Sequence, residues 1–132
     1  MKLTRSVSYA VGILLKMQAN KSAGPMTAAK IGKGAKFPPR FLYRVLRRLV
    51  DAGLLEGISG PGGGYLLARP PREISLLEII EAVEGHEVTP KLTMVAPKQR
   101  AAVKHINEQL QRNTERWQSS LGRITLAKLA RL

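Results

Sequence analysis

The sequence predicts a mainly α-helical protein with one small β-hairpin, arranged as a winged helix-turn-helix domain followed by a long C-terminal helix. Three observations support this fold class. Two helical patterns lie close together before residue 53 and are separated by a short connection that contains glycine. A glycine-rich stretch then lies between short apolar runs at 54–58 and 65–67. A much longer helical pattern covers about 97–122.

The first helix is predicted over residues 4–19, with Thr4 as its N-cap. Apolar residues recur at steps of three and four and form one stripe, which comprises Val7, Ala10, Val11, Leu14, Leu15 and Met17. A loop at 20–25 follows. Thr27 then opens a short second helix at about 28–33, so the chain starts with two helices joined by a loop.

The third helix, predicted over about 39–52, has the clearest amphipathic pattern. Pro39 suits its first turn, and Gly53 ends it. Its inner face is predicted to hold Phe41, Leu42, Val45, Leu46, Leu49 and Val50. Its outer face is predicted to hold Arg40, Tyr43, Arg44, Arg47 and Arg48. Three of these arginines step by four and three residues, so their guanidinium groups line one ridge: Arg40, Arg44 and Arg47.

The stretch from Ser59 to Leu67 carries four glycines and a proline within positions 60–64 and cannot continue a helix. Short apolar runs flank it, so two short strands joined by a tight turn are predicted. A tip without large side chains lets a phosphate or another backbone approach closely. A flexible surface loop is the alternative. Neither G-x-G-x-x-G nor Gly-Lys-Ser/Thr occurs there, which argues against the nucleotide-binding loops.

After the hairpin, Ser75 and Glu78 predict a capping box at the start of a helix that Gly85 closes. The segment 86–97 contains two prolines and is predicted to be a linker. In the long helix after it, a 3-4 spacing relates Val103, Ile106, Leu110, Trp117 and Ile124, with the polar Asn113 and Ser120 in the gaps. A partner helix from a second subunit would cover this seam. The alternative is a helix that folds back on the N-terminal domain.

The net charge of +13 is unevenly distributed. Residues 1–50 hold eleven Lys and Arg and no acid, residues 51–87 hold two basic and seven acidic side chains, and residues 88–132 hold nine basic and two acidic ones. Helix faces that only contact solvent normally carry side chains of both charges, whereas the arginine ridge has no acidic residue before Asp51. The charge therefore predicts a polyanion partner, with nucleic acid first and an anionic membrane second.

Several functional classes are excluded. The sequence has no cysteine, so it has no disulfide, thiolate metal site or cysteine nucleophile. Its only histidines, His86 and His105, belong to no cluster with metal-ligand spacing, and no catalytic triad or carboxylate pair is recognisable. No apolar run approaches the ~20 residues of a membrane span, and the start lacks the layout of a signal peptide. We expect a cytoplasmic protein that is not an enzyme, binds no cofactor and does not associate with membranes.

The chain resembles a known family in several motifs. The most specific is Gly60-Pro61-Gly62-Gly63-Gly64-Tyr65-Leu66-Leu67-Ala68. The others are Leu3-Thr4, Tyr9-Ala10-Val11, Phe41-Leu42, Leu49, Ala52-Gly53-Leu54, Ile74-Ser75-Leu76, Glu78, Ala82-Val83-Glu84-Gly85 and Thr125-Leu126-Ala127. On these motifs the chain resembles the Rrf-type winged-helix transcription regulators, the family that includes the iron–sulfur cluster regulator IscR. The resemblance is strong over 1–85 and weaker towards the C-terminus.

The resemblance implies a homodimeric, sequence-specific regulator that binds a palindromic operator in double-stranded DNA. It implies a DNA-binding domain at 1–85, the linker at 86–97, and a dimerisation helix with a short C-terminal helix at 98–132. The helix at 39–52 would enter the major groove, and the wing would reach the minor groove. The dimerisation residues would be Val103, Ile106, Leu110, Trp117 and Ile124.

The candidate DNA-binding residues fall into three groups. Arg40, Tyr43 and Arg44 are expected to reach base edges. Thr4, Ser6 and Thr27 are expected to donate hydrogen bonds to phosphate oxygens. The remaining candidates are Arg5, Tyr9, Lys36 and Arg47 on the basic surface and Ser59, Gly60, Pro61, Gly62 and Gly63 in the wing.

The chain departs from the family pattern in ways that bear on function. Cluster-binding members carry three cysteines in the segment that corresponds to 86–97, and this chain has none, so no cysteine-ligated iron–sulfur cluster is possible. The linker is left as a candidate site for a small-molecule or protein effector. Ser59 stands where the family often has arginine, and Tyr43 and Arg44 stand where smaller or acidic residues are common. Two alternatives are a non-specific nucleic-acid-binding or architectural protein and a module that binds a protein partner through its acidic middle segment.

Overall fold

The structure is a computed structural model, and it describes residues 3–20, 24–86, 89–93 and 96–132. The helices and strands in these ranges are α1 (Arg5–Ala19), α2 (Ala28–Gly32), α3 (Pro39–Asp51), β1 (Leu55–Ile58), β2 (Gly64–Leu67), α4 (Leu76–Glu84), α5 (Arg100–Gly122) and α6 (Leu126–Leu129). Short 3-10 turns at Pro71–Glu73 and Pro97–Gln99 precede α4 and α5. None of these helices is both long and apolar enough to cross a membrane. The mainly helical fold with one hairpin, as predicted, is confirmed.

A single aliphatic core is formed by α1, α2, α3, α4 and α6 together. Side chains with almost no exposure include Ile13 and Leu14 of α1, Ile31 of α2, Leu46 and Leu49 of α3, Ile74 before α4, Ile79 within it, and Leu126 of α6. Among the described residues no polar or charged residue is buried. Because aliphatic side chains pack at high density, the relative positions of α1, α2 and α3 are well defined.

Local capping fixes where the helices begin. Thr4 caps α1 through a hydrogen bond that its Oγ1 accepts from Ser6 N at 3.2 Å, and Thr27 caps α2 by accepting from Lys30 N at 3.2 Å. Ser75 and Glu78 form the predicted capping box at α4, with both reciprocal hydrogen bonds present. These caps satisfy amide groups that have no partner inside the helix.

The hairpin pairs β1 with β2 in antiparallel register, from Leu55 opposite Leu67 to Ile58 opposite Gly64. The other edge of β2 forms backbone hydrogen bonds with Met26. Tyr65 N donates to Met26 O at 2.8 Å, and Met26 N donates to Tyr65 O at 2.9 Å. The segment before α2 is thereby attached to the hairpin. This places the hairpin beside the helix-turn-helix, as a wing requires.

Two glycines are needed for close approach within the wing, Gly63 in its turn and Gly64 at the start of β2. A Cβ atom at Gly63 would lie 2.2 Å from Ile58 O, and one at Gly64 would lie 2.4 Å from Met26 O. The turn between the two strands spans residues 59–63, and Gly63 N donates to Gly60 O at 3.0 Å within it. Pro61 followed by Gly62 at a φ of 75° is typical of a type II β-turn.

The predicted inner face of α3 is right except at one end. Leu42, Val45, Leu46 and Leu49 are buried, whereas Phe41 is 42% exposed. At ~100° per residue Phe41 lies about a quarter turn from the centre of the buried stripe, so it belongs to the edge of the outer face. The assignment of Phe41 to the core was therefore wrong.

The long helix α5 packs partly against the core formed by the rest of the chain. Trp117 and Leu121, near its C-terminal end, contact the core of the domain, while no residue of α5 is fully buried. Ile124 lies beyond the end of α5, and its carbonyl oxygen accepts a hydrogen bond from Leu76 N at 2.8 Å. The prediction that Ile124 continues the helical seam was wrong, because the helix ends at Gly122 and the chain turns back towards α4.

The predicted linker at 86–97 is described in part, since residues 87–88 and 94–95 lie outside the described ranges, as do residues 1–2 and residues 21–23 of the predicted loop. Within the described part, Asn107 of α5 binds the backbone of Leu92 twice. Its Oδ1 accepts from Leu92 N at 2.8 Å, and its Nδ2 donates to Leu92 O at 3.1 Å. This pair of hydrogen bonds attaches the described part of the linker to α5.

Candidate nucleic-acid interface

The outer face of α3 is strongly basic. Arg40, Tyr43, Arg44 and Arg47 are all exposed, as the amphipathic pattern predicts. Arg47 Nε lies 4.0 Å from Asp51 Oδ2, one turn along the helix, and among the described residues neither Arg40 nor Arg44 forms an ion pair. A face of this kind presents guanidinium groups that are free to bind phosphates or the acceptors of a guanine edge.

Aromatic rings connect this face to α1. The rings of Tyr9 and Phe37 meet edge to face, with centroids 4.6 Å apart and an interplanar angle of 84°. The Tyr9 ring also meets Phe41 at 6.3 Å and 60°. The guanidinium carbon of Arg44 lies 5.5 Å from the centroid of Phe41. The predicted site residue Tyr9 therefore supports the N-terminal half of α3 through Phe41.

The start of α1 contributes Thr4, Arg5 and Ser6. Arg5 is exposed, and the half-buried Ser6 forms no side-chain hydrogen bond within the described residues. The hydroxyl of Thr4, by contrast, donates to the Glu84 carboxylate. Its hydrogen is thus used within the domain, so a phosphate contact by Thr4 would require this bond to break.

The half-buried side chain of Lys16 anchors the turn between α2 and α3. Lys16 of α1 donates from Nζ to the carbonyl oxygens of Ile31, at 3.0 Å, and Lys33, at 2.5 Å. These carbonyls belong to the C-terminal end of α2, where a cation is favourable. Lys36, in the connection to α3, and Thr27, at the start of α2, are both exposed. Lys16 therefore holds the helix pair together, and Lys36 and Thr27 are free to contact a partner.

The wing tip is built from backbone. Ser59, Gly60, Pro61 and Gly62 are exposed, and Gly63 is half-buried. The tip carries no charged side chain, so it can offer a ligand one hydroxyl group and peptide N–H groups. Without large side chains it can also approach a backbone or phosphate closely.

The acids of α4 are paired within the domain. Glu78 binds Arg69 at 2.8 Å, Glu81 lies 2.7 Å from Nδ1 of His86, and Glu84 accepts from Thr4. Partial burial alone would raise the pKa of Glu78, but hydrogen bonds from the Ser75 backbone and from Arg69, together with the charge of Arg69, outweigh burial and hold that pKa below its ordinary value. The three acids of α4 are therefore engaged in contacts within the fold.

The candidate dimerisation residues divide into two groups. Ile106 is 41% exposed, and Val103 and Leu110 on the same side of α5 are half-exposed. Trp117 contacts the core of its own domain, and Ile124 lies outside the helix. The apolar surface that remains uncovered is therefore the N-terminal half of α5.

Sequence reasoning missed three residues that shape this surface. Phe41 was assigned to the core, and Lys16 was counted only as a basic residue. Arg48 was placed on the outer face of α3, although it donates to Val83 O of α4. The off-centre angle of Phe41 on the helix was a usable signal. No local sequence pattern predicts the contacts of Lys16 and Arg48, because these contacts join different helices.

The described residues contain no group of three or more His, Cys, Asp or Glu side chains that could hold a metal ion. Because the whole sequence has no cysteine, it also lacks the thiolates that bind iron–sulfur clusters. The residues of this chain therefore do not fit a cysteine-ligated cluster.

The chain matches the Rrf2 family, which is described as an iron-dependent transcriptional regulator, over residues 3–132. The HTH-type transcriptional regulator IscR of Escherichia coli is 37% identical over 84 residues, which are 64% of this chain and 52% of that protein. The matched region thus spans about half the length of these curated relatives.

Solved structures share the architecture. CymR, the global cysteine regulator of B. subtilis, aligns with a TM-score of 0.73 at 24% identity, over 98% of this chain and 96% of its own. T. potens IscR aligns with a TM-score of 0.67 at 23% identity, over 99% and 87% of the two chains. At these identities the likeness shows the fold.

Proposed function

Because the chain belongs to the Rrf2 family of transcriptional regulators, we propose that it acts as a homodimer on a palindromic operator in double-stranded DNA. The observation that supports this most directly is the exposed face of α3, where Arg40 and Arg44 have no acidic partner among the described residues and stand on a helix beside a wing. A helix of this kind fits the major groove.

Within this function, base contacts and phosphate contacts fall to different residues. Arg40, Tyr43 and Arg44 contact base edges, because they share the exposed face of α3 and carry donors suited to guanine and to other acceptors. Arg5, Thr27, Lys36 and Arg47 contact phosphates, which positions the domain without selecting a sequence. Ser6 adds a hydroxyl donor, and Thr4 mainly secures the start of α1.

The wing contributes affinity through its backbone. Ser59, Gly60, Pro61, Gly62 and Gly63 form a narrow tip without long side chains, which suits contact with a phosphate or with the minor-groove edge. Because the tip holds no arginine, minor-groove recognition by an inserted guanidinium is not part of this mechanism. Specificity is then concentrated in α3.

The dimer is formed through α5. Val103, Ile106 and Leu110 present an apolar strip on its N-terminal half, and a two-fold partner helix would cover it. A symmetric dimer places two copies of α3 so that each meets one half-site, about 34 Å apart in B-DNA. Trp117 supports the strip from within its own subunit by fixing α5 against the core.

The protein acts in the cytoplasm and without a cysteine-ligated iron–sulfur cluster. The linker at 86–97, attached to α5 by Asn107, is then the candidate site for a small-molecule or protein effector. The linker lies between the DNA-binding domain and α5. An effector bound there would change the distance between the two DNA-binding domains of the dimer.

Selection of bound duplexes from a random pool tests the proposal. A palindromic consensus with two half-sites supports it, as does binding at a stoichiometry of two chains per site. Equal affinity for random DNA and RNA would instead indicate a non-specific nucleic-acid-binding protein. Stable complexes with a protein partner and negligible DNA affinity would indicate an interaction module.

A further inference from the structure

We propose that Phe41 is a specificity residue, which contacts the C5-methyl group of a thymine next to the guanine that Arg44 binds. The inference rests on the proposed function, since it needs α3 to lie in the major groove. It goes further by assigning one base pair to an apolar side chain.

The exposure of Phe41 is the first observation. The ring is 42% exposed on a face that otherwise carries Arg40, Tyr43 and Arg44. Leaving aromatic surface in water is unfavourable, and burying it in a complex recovers that free energy. The apolar group that a duplex offers along the major-groove edge is the methyl group of thymine.

The second observation is that the ring is held in place before any ligand binds. Tyr9 meets Phe41 edge to face at 6.3 Å, and Phe37 in turn meets Tyr9 at 4.6 Å. Phe37 and Tyr9 both pack against the core. A ring supported in this way loses little rotamer freedom on binding, so its contact with a small methyl group can be selective.

The third observation links Phe41 to a neighbouring base. The guanidinium carbon of Arg44 lies 5.5 Å from the ring centroid, which orients its N–H groups beside the ring. Arginine binds guanine through O6 and N7, and adjacent bases on one strand are about 3.4 Å apart. A ring and a guanidinium group this close can therefore contact successive bases, the thymine methyl and the guanine edge.

The test uses the operator obtained by selection. Each thymine of one half-site is replaced in turn by deoxyuridine, which removes only the methyl group. At the thymine next to the Arg44-dependent guanine, we expect about fourfold weaker binding by the unsubstituted protein, the size of one buried carbon group. With Phe41→Ala the thymine-to-uracil ratio of affinities should fall to about one.

Two further variants separate recognition from folding. Arg47→Ala, on the same exposed face, should keep the fourfold ratio of affinity for the thymine duplex over affinity for the uracil duplex. Phe41→Leu keeps an apolar side chain and should keep part of it. Thermal unfolding of each variant tests whether the domain is intact. The ratio of affinities for the thymine and uracil duplexes is measured within each variant, so a general loss of affinity does not affect it.

Three results would overturn the inference. The selected half-site could contain no thymine beside the guanine, uracil could bind as well as thymine throughout, or the ratio could survive in Phe41→Ala. The last result would mean that Phe41 only supports Tyr9. Failure of the proposed function is distinct from these, because the unsubstituted protein would then select no sequence at all.

Discussion

Arg48 of α3 donates a hydrogen bond to the carbonyl oxygen of Val83 in the last turn of α4. The last four carbonyl groups of a helix have no partner within it, so Arg48 satisfies one of them and joins the helix proposed to enter the major groove to the helix that leads into the linker. An arginine that was predicted on the outer face of α3 therefore forms a structural contact between two helices.

Replacement of Arg48 should therefore act on stability. We expect Arg48→Ala to lower the free energy of unfolding by about 1.5 kcal/mol, the value of a hydrogen bond to a charged donor, measured by urea denaturation. Arg47→Ala is the matched control, because the exposed Arg47–Asp51 pair contributes at most about 0.5 kcal/mol. Equal effects of the two substitutions would contradict a special role for Arg48.

The wing should be sensitive to a single methyl group. Gly63→Ala places a Cβ atom 2.2 Å from Ile58 O, so the turn must change shape. We expect affinity for the operator to fall by about tenfold, ~1.4 kcal/mol, while the preferred sequence is retained because α3 is unchanged. Titration with operator and mutated duplexes measures both quantities.

Gly57→Ala in β1 is the control for the wing. Its Cβ atom would have only an ordinary contact, 4.0 Å from the Tyr65 ring, so binding should change little. If Gly63→Ala and Gly57→Ala bind the operator equally well, the shape of the tip does not matter for affinity.

Much of the fold was predictable because its signals are local. Thr4, Thr27 and Ser75 cap the helices that their positions in the sequence predict, and the apolar stripe of α3 matches its buried face. Phe41 shows the limit of periodicity, since a residue a quarter turn from the stripe can be buried or exposed, and the packing of α1 decides which.

Contacts between distant residues could not be predicted from local patterns. Met26 pairs with Tyr65 through backbone groups, which every sequence carries. The hydroxyl of Thr4 is used by Glu84, 80 positions along the chain. The exposed arginines of the candidate interface were predictable from amphipathicity, whereas the engagement of Thr4, Lys16 and Arg48 depends on how the helices assemble.

Charge in the apolar strip of α5 should prevent dimerisation. Leu110→Glu would place a carboxylate opposite its own symmetry mate, so we expect a monomer with lost operator binding, because both half-sites are needed. Sedimentation at micromolar concentration measures the assembly. Gln109→Glu adds the same charge to an exposed neighbouring position and should remain a dimer. A monomeric wild-type protein that binds the operator tightly would refute the dimer.

Acid should weaken the capping box of α4. The pKa of Glu78 is lowered from its ordinary value of 4.5, so its ionised form is favoured in the folded state. Its contribution to stability is therefore complete above pH 4.5 and is lost as the pH falls below it towards the folded-state pKa. Denaturation of the protein and of Glu78→Gln across this range should give curves that converge at low pH. Parallel curves would contradict the assignment.

Substitutions on α3 and just before it should distinguish base contacts from phosphate contacts. Arg40→Ala or Arg44→Ala should weaken operator binding by ~1–3 kcal/mol and relax the preference at one or two positions per half-site. Lys36→Ala, as a phosphate contact, should weaken all duplexes alike and reduce the slope of log affinity against log salt by about one per contact. Binding titrations at several salt concentrations, on operator and random duplexes, distinguish the two patterns. If the Arg40 and Arg44 variants lose affinity equally for both duplexes, these arginines bind phosphates and the base contacts lie elsewhere on α3.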